Sequence, residues 1–313
     1  MPIDFARDCW FLTGPTASGK TEVGVALAER LGAEIVGMDS MTVYRRLDIG
    51  TAKPDDAQRR RVPHHLFDRI EPHEEYSVAQ YVAAAETCAE ELLARRRQVL
   101  LVGGTPLYLK ALLRGIFEGP PADWPLRERL REQAAHEDQG WLHRRLAEVD
   151  PQAAGRLHPN DTRRLIRALE VHEKTGRPIS DWQEQFDHGR PAEACRVFVL
   201  NWPRRDLYAR IEQRVERMFA AGLVDEVAWL LARPEPLGRT ARKAVGYREV
   251  IEHLEGVRDL SETIALIKQH TRNLAKRQMT WFRGLSECRF MPVHGHADAA
   301  ELAERIVADG QGC

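Results

Sequence analysis

The sequence is poor in cysteine and has no long apolar run. No two cysteines form a CxxC pair, so neither a disulfide framework nor a zinc site is predicted, and free thiols in a reducing cytoplasm are expected. No stretch approaches the roughly 18 apolar residues that a membrane span needs, and the N-terminal MPIDFARD lacks the apolar core of a secretory signal. The sequence therefore predicts a cytoplasmic protein with no membrane partner. The cysteines are Cys9, Cys88, Cys195, Cys288 and Cys313.

The sequence also has no excess of charge of one sign. Charged residues make up 30% of the chain, yet the formal net charge is -1. This balance does not indicate a globally basic nucleic-acid binder, although it allows a local basic face. We find no internal repeat and no low-complexity segment. The 313 residues, 43% of them hydrophobic, suffice for a sizeable core with one insertion or for two domains. We expect a monomer.

Short apolar runs alternate with segments of helical apolar spacing. Helices are expected over 20–31 and 78–96, and turn residues follow the apolar runs. This alternation predicts an α/β fold, in which a phosphate-loop-type parallel sheet is flanked by helices. The predicted strands are Cys9–Thr13, Ala33–Met38, Gln98–Val102 and Arg196–Trp202.

The chain between about Gly119 and Ala194 has a different pattern. It is polar, rich in arginine and helical after the Pro120-Pro121 break, with Asp161 as a helix cap and Gly176 as a stop signal. We predict a helical insertion over 119–194 within a catalytic core made of 1–118 and 195–313. The C-terminal part of that core is expected to be helical from 204 to about 284, and again from 298 to 308.

The strongest local signal is a complete phosphate-loop pattern, G-x-x-x-x-G-K-[ST], between a predicted strand and a predicted helix. Its glycines let backbone N–H groups face a phosphate, Lys20 adds a charge, and the Thr21 hydroxyl can bind Mg²⁺. The pattern is typical of nucleotide-binding and ATP-binding proteins. Its chemistry requires only a diphosphate and a metal ion, however. The residues of the loop are Gly14, Pro15, Thr16, Ala17, Ser18, Gly19, Lys20 and Thr21.

Two further polar residues follow predicted strands. Asp39 comes directly after the second strand, and Thr105 follows Gly103-Gly104 after the third. In parallel sheets, ligands collect at the carboxyl ends of the strands, so both residues should face the crevice of the phosphate loop. Asp39 is either a cap or metal ligand, or a general base. Thr105 is either a helix cap or a substrate contact.

Basic and aromatic residues are interleaved in the C-terminal half. Lys276 to Arg283 reads Lys-Arg-Gln-Met-Thr-Trp-Phe-Arg, and further basic residues surround Gly246-Tyr247. Basic side chains supply phosphate contacts, glutamine reads base edges and aromatics stack on bases. RNA binding is one interpretation, and a solvated helix face is the other.

Two rival functions follow from the same features. A small-molecule kinase would use the phosphate loop for ATP, but an arginine-bearing lid and a strand ending in Asp-Glu are hard to find. A non-catalytic RNA-binding protein would not need Lys20 or Asp39. ATP turnover without RNA would indicate the first, and unchanged function after loss of Lys20 or Asp39 the second.

Segments along nearly the whole chain, in the same order, resemble the bacterial tRNA dimethylallyltransferase (tRNA isopentenyltransferase) family. The phosphate loop alone is generic, whereas its combination with the segments after Asp39 and Thr105 is specific. The residue after Thr105 is Pro106, where the family commonly has a flexible residue, and we expect a stiffer loop there. The matching segments are LTGPTASGKT, DSMTVYRRLDIGTAKP, VPHHLFD, YSVAQY, LLVGGTPLYLKALL, HPNDTRRLIRALEV, AVGYREV and TRNLAKRQMTWFR.

The resemblance implies transfer of a dimethylallyl group from dimethylallyl diphosphate to N6 of an adenosine in tRNA. That adenosine lies 3′ of the anticodon, in tRNAs that read codons beginning with U. The implied partners are the tRNA anticodon stem-loop and dimethylallyl diphosphate, and the implied cofactor is Mg²⁺, bound by Thr21. Asp39 resembles the general base, Thr105 the threonine beside the reacting centre, and Arg214 an arginine that reaches the diphosphate.

The resemblance also implies a set of tRNA-contacting residues. They lie after two strands, in the insertion and in the C-terminal half of the chain. They are Asp39, Ser40, Met41, Thr42, Thr105, Arg127, Arg163, Arg164, Leu165, Ile166, Arg167, Arg242, Lys243, Gly246, Tyr247, Lys276, Arg277, Gln278, Thr280, Trp281 and Arg283.

Overall fold

The computed structural model describes residues 3–117, 119–182, 189–295 and 298–311. Within them, contacts divide the chain into two units, with divisions after Leu113 and before Gly189. Both divisions lie slightly before the boundaries expected from the sequence. At the second, Arg190 forms an ion pair with Asp4, which ties the chain after Gly189 to the first unit. The predicted insertion includes residues 183–188, which lie outside the described residues.

The first unit contains a six-stranded parallel sheet. The strand order is β3-β2-β4-β1-β5-β6, so β4 lies between β1 and β2. The α/β fold class predicted from the sequence is confirmed. The strands are β1 (Trp10–Thr13), β2 (Ala33–Gly37), β3 (His64–His65), β4 (Gln98–Gly103), β5 (Val197–Asn201) and β6 (Cys288–Pro292).

Four of these strands match the predicted apolar runs because both faces of the sheet are covered. Every residue of β1 and β2 is buried, and central strands of this kind have apolar sequences without alternation. Strands β3 and β6 were not predicted. The first has only two histidines, and the second contains Arg289 and ends at Pro292, a residue confined to sheet edges.

Among the helices of the first unit, α2 follows the phosphate loop, and its bounds agree with the prediction. Gly19 precedes α2 and Gly32 follows it, both with positive φ, so glycines mark both ends. A capping box at Asp259 starts α14, the longest described helix. These helices are α1 (Phe5–Asp8), α2 (Lys20–Leu31), α3 (Asp56–Arg61), α4 (Val78–Ala94), α5 (Pro106–Arg114), α10 (Arg204–Ala220), α11 (Leu223–Leu231), α12 (Arg239–Arg242), α13 (Tyr247–Leu254), α14 (Leu260–Arg283) and α15 (Ala299–Gly310), with a 3-10 turn at Ala192–Ala194.

Two of the apolar clusters in the described part of the first unit pack the sheet and the chain after β2. In one, β-strand residues such as Leu12 and Phe198 pack with α2, α10 and α15. In the other, the chain after β2 packs through Tyr44 and Leu47 against α10, α11, α13 and α14. The second cluster fixes the loop that carries residues 39–54 beside the carboxyl ends of the strands.

The second unit is helical, with its own core formed by Leu130, Leu146 and Leu165, among others. Helix α9 begins after Asp161, which accepts a hydrogen bond from the Arg164 N–H, and ends at Gly176, as the sequence predicted. The elements are α6 (Trp124–His136), α7 (Trp141–Val149), α8 (Pro151–Arg156), α9 (Thr162–Thr175) and a 3-10 turn at Ile179–Trp182.

The described cysteines, Cys9, Cys88, Cys195 and Cys288, form no disulfide bond with one another, and Cys313 lies outside the described residues. Among the helices that the structure describes, none is long and apolar enough to cross a membrane.

Candidate active site

The phosphate loop joins β1 to α2 at the carboxyl edge of the sheet. Gly14 has a φ of 146°, and a Cβ there would lie 3.0 Å from the backbone oxygen of Leu200, so a side chain would both strain and crowd this turn. The first N–H groups of α2 have no partner within the helix and carry its positive dipole end. The loop therefore has the geometry of an anion site.

The carbonyl groups of the loop are held by side chains. The Trp202 indole N–H donates to the Ser18 oxygen at 2.9 Å, and the Arg210 Nε donates to the Ala17 oxygen at 2.9 Å. Lys20 Nζ donates to the Pro15 oxygen at 2.8 Å. Because its carbonyls are held, the loop keeps its shape before any ligand binds.

The Lys20 ammonium is poorly solvated. Burial lowers its pKa to about 7, and the nearby charge of Arg214 acts in the same direction. Asp39 and Glu22 oppose the shift. A cation that is costly to keep charged will favour an anionic ligand, which restores its charge.

The ends of β2 and β4 are joined at a corner formed by Asp39, Ser40 and Thr105. The Ser40 N–H donates to Thr105 Oγ1 at 3.0 Å, and the Met41 N–H donates to the Asp39 carboxylate at 2.9 Å. A Cβ on Gly103 would lie 1.9 Å from the Met38 oxygen, so only glycine permits this approach. The corner ties the chain beside Asp39 to the Thr105 hydroxyl through Ser40, and the Met41 N–H holds the Asp39 carboxylate.

Thr105 also precedes α5, whose first residue is Pro106. Proline suits that position because the first helical N–H has no partner within the helix. Proline in place of the family's usual flexible residue at position 106 is therefore compatible with the start of α5.

Helix α10 places arginines beside the phosphate loop. Arg210 and Arg214 are four residues apart, so they project from the same face. Arg214 Nη2 donates to the Thr51 oxygen at 3.1 Å, and burial lowers the pKa of this guanidinium. Arg214 thus faces the cavity with a fixed orientation.

The loop that orients Arg214 is held by Glu226, a residue that the sequence did not single out. Its carboxylate accepts hydrogen bonds from the N–H groups of Asp48, Ile49 and Gly50 and from the Tyr247 hydroxyl. A Cβ on Gly50 would lie 2.5 Å from the Tyr247 ring. The Ile49-Gly50-Thr51 segment therefore lies between α11 and α13, held by Glu226 and packed against Tyr247. In the sequence, Gly50 was the feature that could have indicated this close packing.

These residues surround one cavity of about 1180 Å³. It brings together three predicted groups, the phosphate loop, Asp39 and Arg214, from separate parts of the chain. The space is larger than the usual range for small-molecule sites, roughly 300–1,000 Å³. The lining includes Thr16, Ala17, Ser18, Gly19, Lys20, Thr21, Asp39, Thr51, Gly103, Gly104, Arg210, Arg214 and Gln278.

A magnesium ion is compatible with this donor set. Mg²⁺ keeps several waters and usually takes one or two protein oxygens together with ligand phosphates. Thr21 and Asp39 offer a hydroxyl and a carboxylate in the cavity, and the described residues contain no cluster of three or more acidic, histidine or cysteine side chains. These two side chains would suit a Mg²⁺ ion whose other ligands are water and the oxygens of a bound diphosphate.

Several predicted RNA-contacting side chains are exposed. On α14, Lys276, Arg277, Thr280 and Arg283 are exposed, and Trp281 is 37% exposed. Exposed side chains elsewhere in the predicted set are those of Arg163, Arg164, Arg242 and Lys243.

Other members of the predicted set have side chains that lie inside the protein, and their part in RNA binding stays a prediction. Leu165 and Ile166 belong to the core of the second unit, because α9 turns its apolar stripe inward. Tyr247 packs in the first unit and donates to Glu226. Thr42 and Gly246 are buried as well.

Two predicted arginines in the second unit pair with a buried carboxylate. Arg127 forms a bidentate ion pair with Glu170 at 2.7–2.8 Å, and Arg167 pairs with the same residue. Glu170 is fully buried, so these arginines neutralise it. Their role in RNA binding stays a prediction beside this structural one.

The fold and the cavity together define a class: an α/β phosphate-loop protein whose anion site shares a cavity with a carboxylate from another strand. A sequence profile of the family described as IPP transferase matches residues 42–285. The chain belongs to this family.

Two curated relatives are named tRNA dimethylallyltransferase. The tRNA dimethylallyltransferase of Pelotomaculum thermopropionicum is 45% identical over 302 residues, covering 96% of each chain. That of Geobacter metallireducens is 48% identical over 286 residues, covering 91% of this chain and 93% of the relative.

Two solved structures match this chain along most of its length. A tRNA isopentenylpyrophosphate transferase from Bacillus halodurans matches with a TM-score of 0.68 at 36% identity, covering 97% of both chains. A eukaryotic dimethylallyltransferase acting on tRNA matches with a TM-score of 0.72 at 24% identity, covering 92% of this chain and 74% of the other, which shows the same fold.

Proposed function

We propose that this protein transfers a dimethylallyl group from dimethylallyl diphosphate to N6 of an adenosine in tRNA, with release of diphosphate. The adenosine is the one 3′ of the anticodon in tRNAs that read codons beginning with U. The observation that carries the proposal is the single cavity shared by the phosphate loop, Arg214 and Asp39. The names of the relatives identify the transferred group and the acceptor for those proteins.

The donor diphosphate binds at the loop between β1 and α2. Backbone N–H groups, Lys20 and Arg214 face its oxygens and stabilise the charge that develops as the carbon–oxygen bond breaks. Magnesium, held with Thr21, neutralises further charge on the leaving group when it is bound. These groups activate the electrophile, which is necessary because N6 of adenine is a weak nucleophile.

Asp39 acts at the other end of the cavity. The N6 nitrogen forms a bond to the allylic carbon while the bond from that carbon to the diphosphate breaks, and the Asp39 carboxylate takes the N6 proton. The Met41 N–H and the corner with Thr105 hold this carboxylate in place. Thr105 holds the chain around the reacting centre through the Ser40 N–H.

The acceptor base must leave its stack to enter the cavity, as other base-modifying enzymes require. The exposed side chains of Lys276, Arg277 and Trp281 on α14 supply phosphate contacts and a stacking surface for the anticodon stem-loop. A cytoplasmic, monomeric enzyme remains the expectation.

The test uses purified protein, unmodified tRNA, labelled dimethylallyl diphosphate and Mg²⁺. Label should reach the tRNA with the wild-type protein and be lost with Lys20→Ala. The control Lys268→Ala should retain transfer, because Lys268 pairs with Glu216 and does not line the cavity. ATP turnover without label in the tRNA would instead establish a kinase. RNA binding with neither activity would establish a binding protein.

A further inference from the structure

Gln278 lies on the buried side of α14, although its neighbours Arg277 and Trp281 face solvent. The side chain is 9% exposed. A glutamine in this position must use its amide inside the protein, because an unpaired buried amide is costly.

Both ends of that amide bind backbone groups of the site. Its Oε1 accepts from the Thr16 N–H at 2.9 Å, and its Nε2 donates to the Gly104 oxygen at 2.6 Å. Thr16 belongs to the phosphate loop, and Gly104 is the residue before Thr105. One side chain therefore joins the diphosphate cradle to the strand end that holds Ser40 and Asp39.

The fit around this amide is close. A Cβ on Gly104 would lie 2.9 Å from Gln278 Nε2 and 3.6 Å from Lys20 Nζ. Gln278 and Lys20 thus both approach the Gly104 backbone, and both side chains line the cavity.

We propose that Gln278 is a positioning residue that sets the separation between the diphosphate cradle and the Asp39–Thr105 corner. The inference rests on the proposed function for its catalytic consequence, but its effect on the cradle is independent of tRNA. An amide is suited to the role because it accepts at one atom and donates at the next. An ionised carboxylate would place an acceptor against the Gly104 oxygen, and an apolar side chain would satisfy neither backbone group.

The variants are Gln278→Met, which keeps the length and loses both hydrogen bonds, and Gln278→Glu, which keeps only the contact to the Thr16 N–H. Gln269→Met is the matched control, because Gln269 is an exposed glutamine on the same helix. The affinity for inorganic diphosphate with Mg²⁺ is measured by calorimetry without tRNA. tRNA affinity is measured separately by filter binding, and steady-state kinetics give KM for each substrate.

We expect both Gln278 variants to bind diphosphate about tenfold more weakly and to lose roughly 10- to 100-fold in kcat. tRNA affinity should stay near that of the wild type, and the control should match the wild type throughout. A selective loss of tRNA affinity would overturn the proposal and make Gln278 an RNA contact, and so would unchanged diphosphate affinity. If Gln278→Met does not fold, Gln278→Glu decides the question by the same two affinities.

The proposed function can fail separately. A wild-type protein that binds diphosphate but transfers no label to tRNA would refute the prenyl transfer, while the difference in diphosphate affinity would still test Gln278.

Discussion

Diphosphate binding should be coupled to protonation of Lys20. The ordinary pKa of a lysine is 10.5, and in the free protein burial and the charge of Arg214 lower that of Lys20 to about 7. At pH 8, about one unit above this pKa, we therefore expect the neutral form of the side chain to predominate. A bound diphosphate favours the charged form and raises this pKa again, so binding must take up a proton.

The affinity for diphosphate should fall as the pH rises above the pKa of Lys20. Below pH 7 Lys20 is already charged, and its protonation state adds no pH dependence. Above pH 7, each pH unit should weaken diphosphate binding by up to about tenfold, or about 1.4 kcal/mol, until the pKa of the complex is reached. At pH 8 the expected uptake through Lys20 is roughly 0.9 proton per diphosphate.

Calorimetry in buffers of different ionisation enthalpy measures the uptake directly. Lys20→Arg is the control, because arginine stays charged over this range. The diphosphate titrates identically with both proteins, so the difference between them isolates Lys20. Equal proton uptake by the two proteins at pH 8 would refute the reasoning.

Three further predictions concern separate parts of the first unit. Asp39→Asn should lower kcat by roughly 10²- to 10⁴-fold with tRNA affinity unchanged; a large loss of affinity in filter binding would give Asp39 a structural or RNA-binding role. Arg277→Ala should weaken tRNA binding and reduce the salt slope of log K by about 1; an unchanged slope would remove Arg277 from the RNA surface. Glu226→Gln should lower the free energy of unfolding by about 1–3 kcal/mol in urea titrations, because three backbone N–H groups lose a charged acceptor; Glu216→Gln, an exposed surface change, should alter it little, and equal effects would contradict the argument.

The sheet and its phosphate loop could be predicted because local sequence determines them. Buried strands have apolar runs, and Gly19 and Gly32 mark the ends of α2. Strand β3 could not be found in this way, since its two residues form a strand only by pairing with Ile35 and Val36. Such pairing is a tertiary contact that composition does not report.

The sequence predicted those parts of the candidate site that directly follow a strand. Asp39 and the phosphate loop follow strands, so topology brings them together. Gln278 and Tyr247 were assigned to the RNA surface because polarity does not reveal which face of a helix a residue occupies. The spacing of the buried stripe of α14, Thr271, Ala275, Gln278 and Phe282, does contain that information.

Strand order explains how a generic phosphate loop can serve group transfer to a base. Because β4 lies between β1 and β2, the loop after β1 and Asp39 after β2 are two strand spacings apart, roughly 10 Å. Two links span this gap: Gln278 joins the Thr16 N–H to the Gly104 oxygen, and Thr105 joins the end of β4 to the Ser40 N–H. In the proposed reaction, this arrangement keeps the leaving group apart from Asp39, with space between them for the carbon that is transferred. A loop that binds ATP for phosphoryl transfer needs its acceptor close to the terminal phosphate, whereas in the proposed reaction the carbon that is attacked lies beyond the diphosphate, towards Asp39.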